Sequence, residues 1–351
     1  MDRLGRLAQH FERFAQREAR ASSPLYCRLA SGVAGDKDLV ALAAHARSGP
    51  TTNLFLAAVH YLLLKGARHR LAEFYPTVSG SATIGGDPFP DFRVFCLEHV
   101  DEIRELLSTR KVQTNEVRRC GILLPAFNHI AMHASWRPFA LVEVGASAGL
   151  LLLWDQYEYS YSGEGAPYGV HGSPVLVECA VRGRRRPPFP SVLPRVSRRM
   201  GIDLNPLDVH DADQALWLQA FIWGDQPERF EHLRRALVVA MRQPPEILAG
   251  DALEVLPEVV AGIPSNEIPL VFHCHTLNQF SPEARRRFEK MMSVVSRGRL
   301  VYRLSLEGLA QGDGIVSRMD VTVFSDGQLC QRPLAYYEPH GAWIEWLDEP
   351  T

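Results

Sequence analysis

The chain has 351 residues, with 38 Lys and Arg against 40 Asp and Glu, a formal net charge of −2. So small a net charge excludes a strong attractive field for nucleic acid or an anionic membrane. With 46% apolar and 22% charged residues, the chain is neither disordered, collagenous nor a coiled coil, and its length points to two structural regions.

The region 1–137 reads as helices. Leu4, Leu7, Ala8, Phe11 and Phe14 recur at helical spacing, and Ser22-Ser23-Pro24 breaks that helix. Asp2, Arg3, Arg6 and Glu12 stand where a signal peptide needs an apolar run. Further helices are predicted over Asp38–Arg47 and Asn53–Lys65, parted by the turn Ser48-Gly49-Pro50. The apolar run Leu54–Leu64 is interrupted by His60 and Tyr61 and is too short to cross a bilayer. Tyr75–Asp91, rich in Gly and Pro, reads as a long loop of the kind that serves a site. Helix returns over Phe92–Ser108. Another begins after Thr114 as N-cap, with Glu116 in its first turn, and Pro125 is expected to kink or split it.

After Pro138 the period changes. Ala140–Val144 is a short apolar strand that runs into Gly145-Ala146-Ser147-Ala148-Gly149, and Leu150–Tyr157 then reads as helix. Strand, glycine turn and helix open an α/β nucleotide-binding unit. The segment 159–199 interrupts the alternation, with one strand over Val175–Val181 and an Arg/Pro-rich stretch after it. Strands then end at Gly201–Pro206, Glu246–Asp251, Leu270–His275 and Arg299–Ser305. Helices fall at Asp211–Phe221, Pro227–Met241, Ala252–Val260 and from Ser281 to Val295. Asp320–Phe324, the turn Ser325-Asp326-Gly327 and Leu334–Leu347 read as an antiparallel hairpin. The predicted architecture is a helical region, 1–137, before an α/β domain, 138–351, whose Rossmann-like sheet has seven strands.

The residues that carry chemistry gather at predicted strand ends. Glu143-x-Gly145-x-Ser147-x-Gly149 lets backbone approach a ligand closely and presents helix N–H donors. Read with the five alternating strands, it resembles motif I of class I S-adenosylmethionine-dependent methyltransferases, with Ser147 in place of the middle glycine. The resemblance implies S-adenosylmethionine as cofactor, held by Glu143, Gly145, Ser147 and Gly149. It also implies Asp203 on the ribose hydroxyls and Asp251 on the adenine amino group. Asp203 stands 60 residues after Glu143, and the insertion 159–199 accounts for the excess. Both acids also read as local caps, of the Asn205-Pro206 turn and of the following helix.

His273-x-His275-x-x-Asn278-Gln279 follows the fourth strand, where catalytic groups of that family sit. His275 or Asn278 is therefore the candidate for orienting or deprotonating the acceptor. The two histidines lie at i, i+2, but no carboxylate partner is evident and no metal is assigned. Gln113, Asn115 and Glu116, in a polar run at a helix start, are candidates for binding a small polar substrate. The run of arginines between Arg182 and Arg199 has one aromatic, Phe189, and reads as a solvated loop rather than a nucleic-acid contact. The six cysteines form no C-x-x-C pair, which fits reduced thiols and a cytoplasmic location.

Other readings of the same turn stay open. Gly145-x-Ser147-x-Gly149 also fits a hydrolase nucleophile elbow, with Asp326 and His340 as partners. That fold needs several strands before the elbow, whereas helices are predicted there. A nicotinamide cofactor calls for G-x-G-x-x-G, and position 148 is Ala. A non-catalytic nucleotide-binding or partner-binding module on the same fold is the remaining alternative.

QTNEV from Gln113, EVGASAGL from Glu143, GIDLNPLDV from Gly201, IWGDQ from Ile222 and GDALEVLP from Gly250 span most of the chain. On these stretches it resembles a bacterial family, domain of unknown function 2332. That resemblance supports the fold and assigns no activity.

Overall fold

The computed structural model describes residues 2–81, 84–311 and 314–347. Its helices are α1 (Arg3–Phe14), α2 (Pro24–Gly35), α3 (Lys37–Ala43), α4 (Thr51–Leu64), α5 (Pro76–Ser79), α6 (Phe89–Glu98), α7 (Val100–Thr109), α8 (Cys120–His133), α9 (Ala212–Ala220), α10 (Pro227–Arg242), α11 (Ala252–Ala261) and α12 (Pro282–Val295). Its strands are β1 (Phe139–Val144), β2 (Glu158–Tyr161), β3 (Tyr168–Gly169), β4 (Leu176–Arg182), β5 (Val196–Asp203), β6 (Glu246–Ala249), β7 (Ile268–Cys274), β8 (Val301–Gln311), β9 (Gly314–Ser325), β10 (Gln328–Tyr337) and β11 (Trp343–Trp346). The chain divides into two compact units: residues up to 114 with 210–234, and residues 115–209 with 235–351.

The first unit is helical. Its core gathers Phe11, Leu29, Leu54, Phe55, Phe92 and Phe95, all fully buried, and takes in Trp217 and Ala220 from α9. The segment 210–234 lies between β5 and β6 in sequence yet belongs here, and polar bonds explain why. Asp213 accepts from Tyr61 and Arg110. The Trp217 indole donates to the Lys111 carbonyl at 3.0 Å. Asp225 accepts from the Ser23 hydroxyl at 2.6 Å and the Leu25 N–H at 3.2 Å, at the start of α2. Gly224 is required by close packing, because a Cβ there would stand 2.1 Å from the Tyr75 ring.

Three local expectations change in this unit. Pro24 opens α2, with Ser23 as its N-cap, instead of only ending what precedes it. The stretch 75–91 holds α5 and the start of α6, and residues 82–83 within it lie outside the described residues. Phe92–Ser108 is two helices parted at His99.

The second unit is built on one sheet of eleven strands, in the order β3-β2-β4-β11-β10-β9-β8-β7-β1-β5-β6. Seven strands were expected. The additional ones come from the insertion, where β2, β3 and β4 form one end of the sheet, and from β11, which pairs with both β4 and β10. β8, β7, β1, β5 and β6 are mutually parallel. β8 to β11 run antiparallel as a meander. The β9–β10 turn is Asp326-Gly327, both in the left-handed region, which matches the strand twist at a two-residue hairpin. On one face Ala140, Val142 and Val144 pack with Leu256 of α11 and with Phe288 and Met292 of α12. On the other, Phe127 of α8 meets Phe139 and Phe272.

α8 runs through Pro125 without a break. A helical proline frees the carbonyl four residues earlier. Here that carbonyl is Gly121, and it accepts from the Tyr161 hydroxyl of β2 at 2.7 Å.

Candidate functional site

In open parallel sheets ligands bind outside the carboxyl ends of the strands, where the chain order reverses. Here β1 leads outward to β5 and β6 on one side and to β7 and β8 on the other. The turns after β1 and β7 flank that reversal. Gly145 has φ +78°, and a Cβ there would lie 2.4 Å from Thr276 Oγ1. Gly149 has φ +71°, with Pro245 Cγ at 2.4 Å from such a Cβ. Ser147 and His275, both at φ +54°, are non-glycine residues in the left-handed region, a strain that the surrounding contacts must hold.

Among the expected cofactor residues, Glu143 is buried at the end of β1, and its Oε2 has no hydrogen-bond partner. Burial, and then the Asp203 charge, push its carboxyl well above the usual range, against the Arg119 guanidinium. The Ser147 hydroxyl is likewise buried and unpartnered. Asp203 accepts from the Ser147 N–H at 2.8 Å and from the Asn205 N–H at 2.8 Å. It therefore ties the glycine turn to the end of β5 and caps its own turn. Leu204, the next residue, is 73% exposed. Asp251 is exposed and caps α11, accepting from the Leu253 N–H at 2.9 Å.

Of the expected substrate residues, Asn115 is buried and its Oδ1 accepts from the Leu150 N–H at 2.8 Å, so it caps the helical turn after Gly149. Glu116, also buried, caps the short turn Val117–Arg119. Gln113 falls in the first unit, on the other side of the unit boundary from Asn115.

The loop after β7 is organised by a residue that the sequence reading did not single out. Glu307, on β8, accepts from His273 Nδ1 at 2.7 Å and from the N–H groups of Thr276, Leu277 and Asn278 at 3.0–3.2 Å. Burial works to raise its pKa, but the His273 hydrogen bond and the Leu277 N–H together hold it below the usual range. This is the carboxylate partner that seemed missing. It became visible only with the β7–β8 register, in which His273 pairs with Ser305. Side chains two apart on a strand share a face. His273 is thus a buried structural group.

His275 takes another course. Its Nε2 lies 3.2 Å from the Tyr337 hydroxyl. Burial, then the Arg119 charge, lower its pKa to about 4, so the ring is neutral near pH 7. Arg119 is anchored by its Nε on the Pro339 carbonyl at 2.8 Å. Tyr337 and Arg119 thus join His275 at this edge. Asn278 donates its N–H to Glu307 and its carbonyl accepts from Arg285 at 3.0 Å, and the residue is exposed.

The hydrolase partners are placed elsewhere. Asp326 sits in the β9–β10 turn and accepts from the Gly298 N–H at 3.1 Å, while His340 pairs with Glu338 at 3.0 Å. Among the described residues no group of three or more His, Cys, Asp and Glu is arranged to hold a metal. No described helix is long and apolar enough to cross a membrane.

No curated protein matches the chain. The profile of one family, described as uncharacterised protein conserved in bacteria, matches residues 8–346. That match covers nearly the full length, and the chain belongs to this family, DUF2332.

Proposed function

We propose that the protein binds S-adenosylmethionine at the carboxyl ends of β1, β5 and β6 and transfers its methyl group to a small polar acceptor. The observation that carries this reading is positional. The glycine turn, Asp203 and Asp251 follow three neighbouring parallel strands on one side of the point where strand order reverses.

The residues present suit such a ligand. Each Asp203 oxygen uses one acceptor site on backbone and retains another for a ribose hydroxyl. Leu204 offers an exposed apolar face beside it for a flat ring. Ser147 Oγ and Glu143 Oε2 are buried polar atoms in want of partners. When bound, the cofactor supplies an electrophilic methyl group on a sulfonium. The chain's share is alignment and water exclusion, together with proton acceptance at Nδ1 of neutral His275, the ring nitrogen that does not face Tyr337, as the acceptor's nucleophilic atom loses its hydrogen. Tyr337 holds that ring through its hydroxyl.

Calorimetric titration of the full chain with S-adenosylmethionine and S-adenosylhomocysteine, with NAD as control, tests the reading. Affinity on the order of micromolar for both sulfur compounds, weakened in Asp203→Asn with the fold intact by circular dichroism, supports it. No binding up to about 1 mM overturns it.

A second reading, a non-catalytic nucleotide-binding or partner-binding module, rests on one observation. The N–H groups of Ser147 and Leu150 are already taken by Asp203 and Asn115, so the turn keeps fewer donors for a ligand. Tight binding of the sulfur compounds without methyl transfer to any acceptor offered would favour it.

A further inference from the structure

The opposite edge of the parallel strands carries a second feature. The loops that lead into β1, β7 and β8 frame a hollow of about 340 Å³, lined among others by Arg137, Ser265, Glu267, Gly298 and Arg299. Both guanidinium groups are fixed by carbonyls around the end of α11. Arg137 Nη2 donates to Ser265 and, at 3.1 Å, to Glu267. Arg299 donates to Val260 at 2.7 Å and to Pro264 at 3.4 Å. Among the described residues, Arg137 Nη1 and Arg299 Nε have no hydrogen-bond partner and neither residue forms an ion pair.

The carboxylates nearby are otherwise occupied. Glu267 is paired with Arg198 at 3.1 Å, and Asp326 accepts from the Gly298 N–H. Burial, and then the Arg137 charge, hold Arg299 below the ordinary arginine range. Two fixed cations therefore face one hollow without a counter-charge of their own. That arrangement repels itself until an anion is supplied, and forks held in place lose little freedom on binding one.

We propose that this hollow is an anion site for a small phosphate-bearing metabolite, with Arg137 and Arg299 donating to the phosphate oxygens. The volume exceeds what one phosphate needs and leaves room for a few carbon atoms of a monoester. The site lies at the strand ends opposite the proposed cofactor site and does not depend on it.

The test is calorimetric titration of the full chain with inorganic phosphate and with glycerol 3-phosphate, at low ionic strength. Saturable one-to-one binding below about 1 mM is expected, weakened about tenfold or more in Arg137→Gln and in Arg299→Gln. Because Arg299 also caps α11, circular dichroism checks each fold, and Arg137→Lys serves as a second variant that keeps the charge and loses the fork. It should bind more weakly than the natural chain and more tightly than Arg137→Gln. Tighter binding of the monoester would show that the hollow holds its organic part, and equal binding that it reads phosphate alone. Both results support the site. No saturable binding up to about 10 mM, or affinity unchanged in Arg137→Gln and Arg299→Gln when both are folded, overturns it.

Discussion

The two edges of the parallel strands treat charge in opposite ways. At the carboxyl edge acids meet backbone donors: Asp203 takes two N–H groups, Glu307 takes three and Asp251 takes one. At the amino edge Arg137 and Arg299 meet backbone carbonyls. Strand direction imposes this sorting. Helices start near the carboxyl ends and finish near the amino ends, so unpaired N–H groups collect at one edge and unpaired C=O groups at the other. The edges differ in depth as well. Glu307 is buried, whereas the arginines are only partly so. The carboxyl edge therefore has at Glu307 a cluster of contacts that fails expensively, whereas water can replace those of the amino edge.

Substitutions can break or sharpen this contrast. The largest effect is expected for Glu307→Ala, which strands buried His273 and three N–H groups of a partly buried loop. We expect a loss of about 3–5 kcal/mol, read from the urea unfolding midpoint, with Glu307→Gln losing less. Gly145→Ala comes next, because φ +78° and the Thr276 side chain both oppose a Cβ. A loss of about 1–3 kcal/mol is expected by the same measurement. Arg299→Ala, at the other edge, should cost only about 1 kcal/mol. A loss equal to that of Glu307→Ala would abolish the contrast.

A pH slope tests the carboxyl edge without removing any of these contacts. The pKa of His275 is lowered in the folded chain to about 4 from an ordinary 6.5. Between these values the unfolded chain binds the proton first, so His275 makes stability fall as pH drops through that window, with no further loss below it. His60, also lowered to about 4 by burial, acts in the same window. His275→Asn should therefore flatten the slope in part, as measured by unfolding at pH 4.5 to 7, which about spans the shift. An unchanged slope would mean that His275 titrates normally.

Most of the parallel strands were legible because they are short apolar runs ending in a turn: the sequence places one at Ala140–Val144 and the structure at Phe139–Val144. The Asp326-Gly327 hairpin was legible for the same local reason. β5 was legible only at its end, because its first residues, Val196 to Arg199, fall in the arginine-rich stretch read as a solvated loop. The insertion was legible only in part: a strand was placed at Val175–Val181, where β4 runs over Leu176–Arg182. β2 and β3 have four and two residues, too short for a period, and they exist because β4 is there to pair with. At the candidate site, the positions of Glu143, Asp203 and His275 followed from strand ends. Glu307, Tyr337 and Arg119 did not, since each reaches His275 or its loop from a distant part of the sequence. The regrouping of 210–234 with the first unit was equally hidden, because Asp225 and Ser23 are 202 positions apart.

The bond between Tyr161 and the Gly121 carbonyl spans 40 positions, and this bears on how the chain folds. A helix usually completes its own hydrogen bonds within its own length, as a local event. α8 cannot, because Pro125 leaves one acceptor that is met only once the insertion has docked. Final formation of this helix is thereby coupled to a non-local contact, the slower kind of step. A shortened chain that skips the insertion would carry that debt permanently, in the middle of the helix that backs β1.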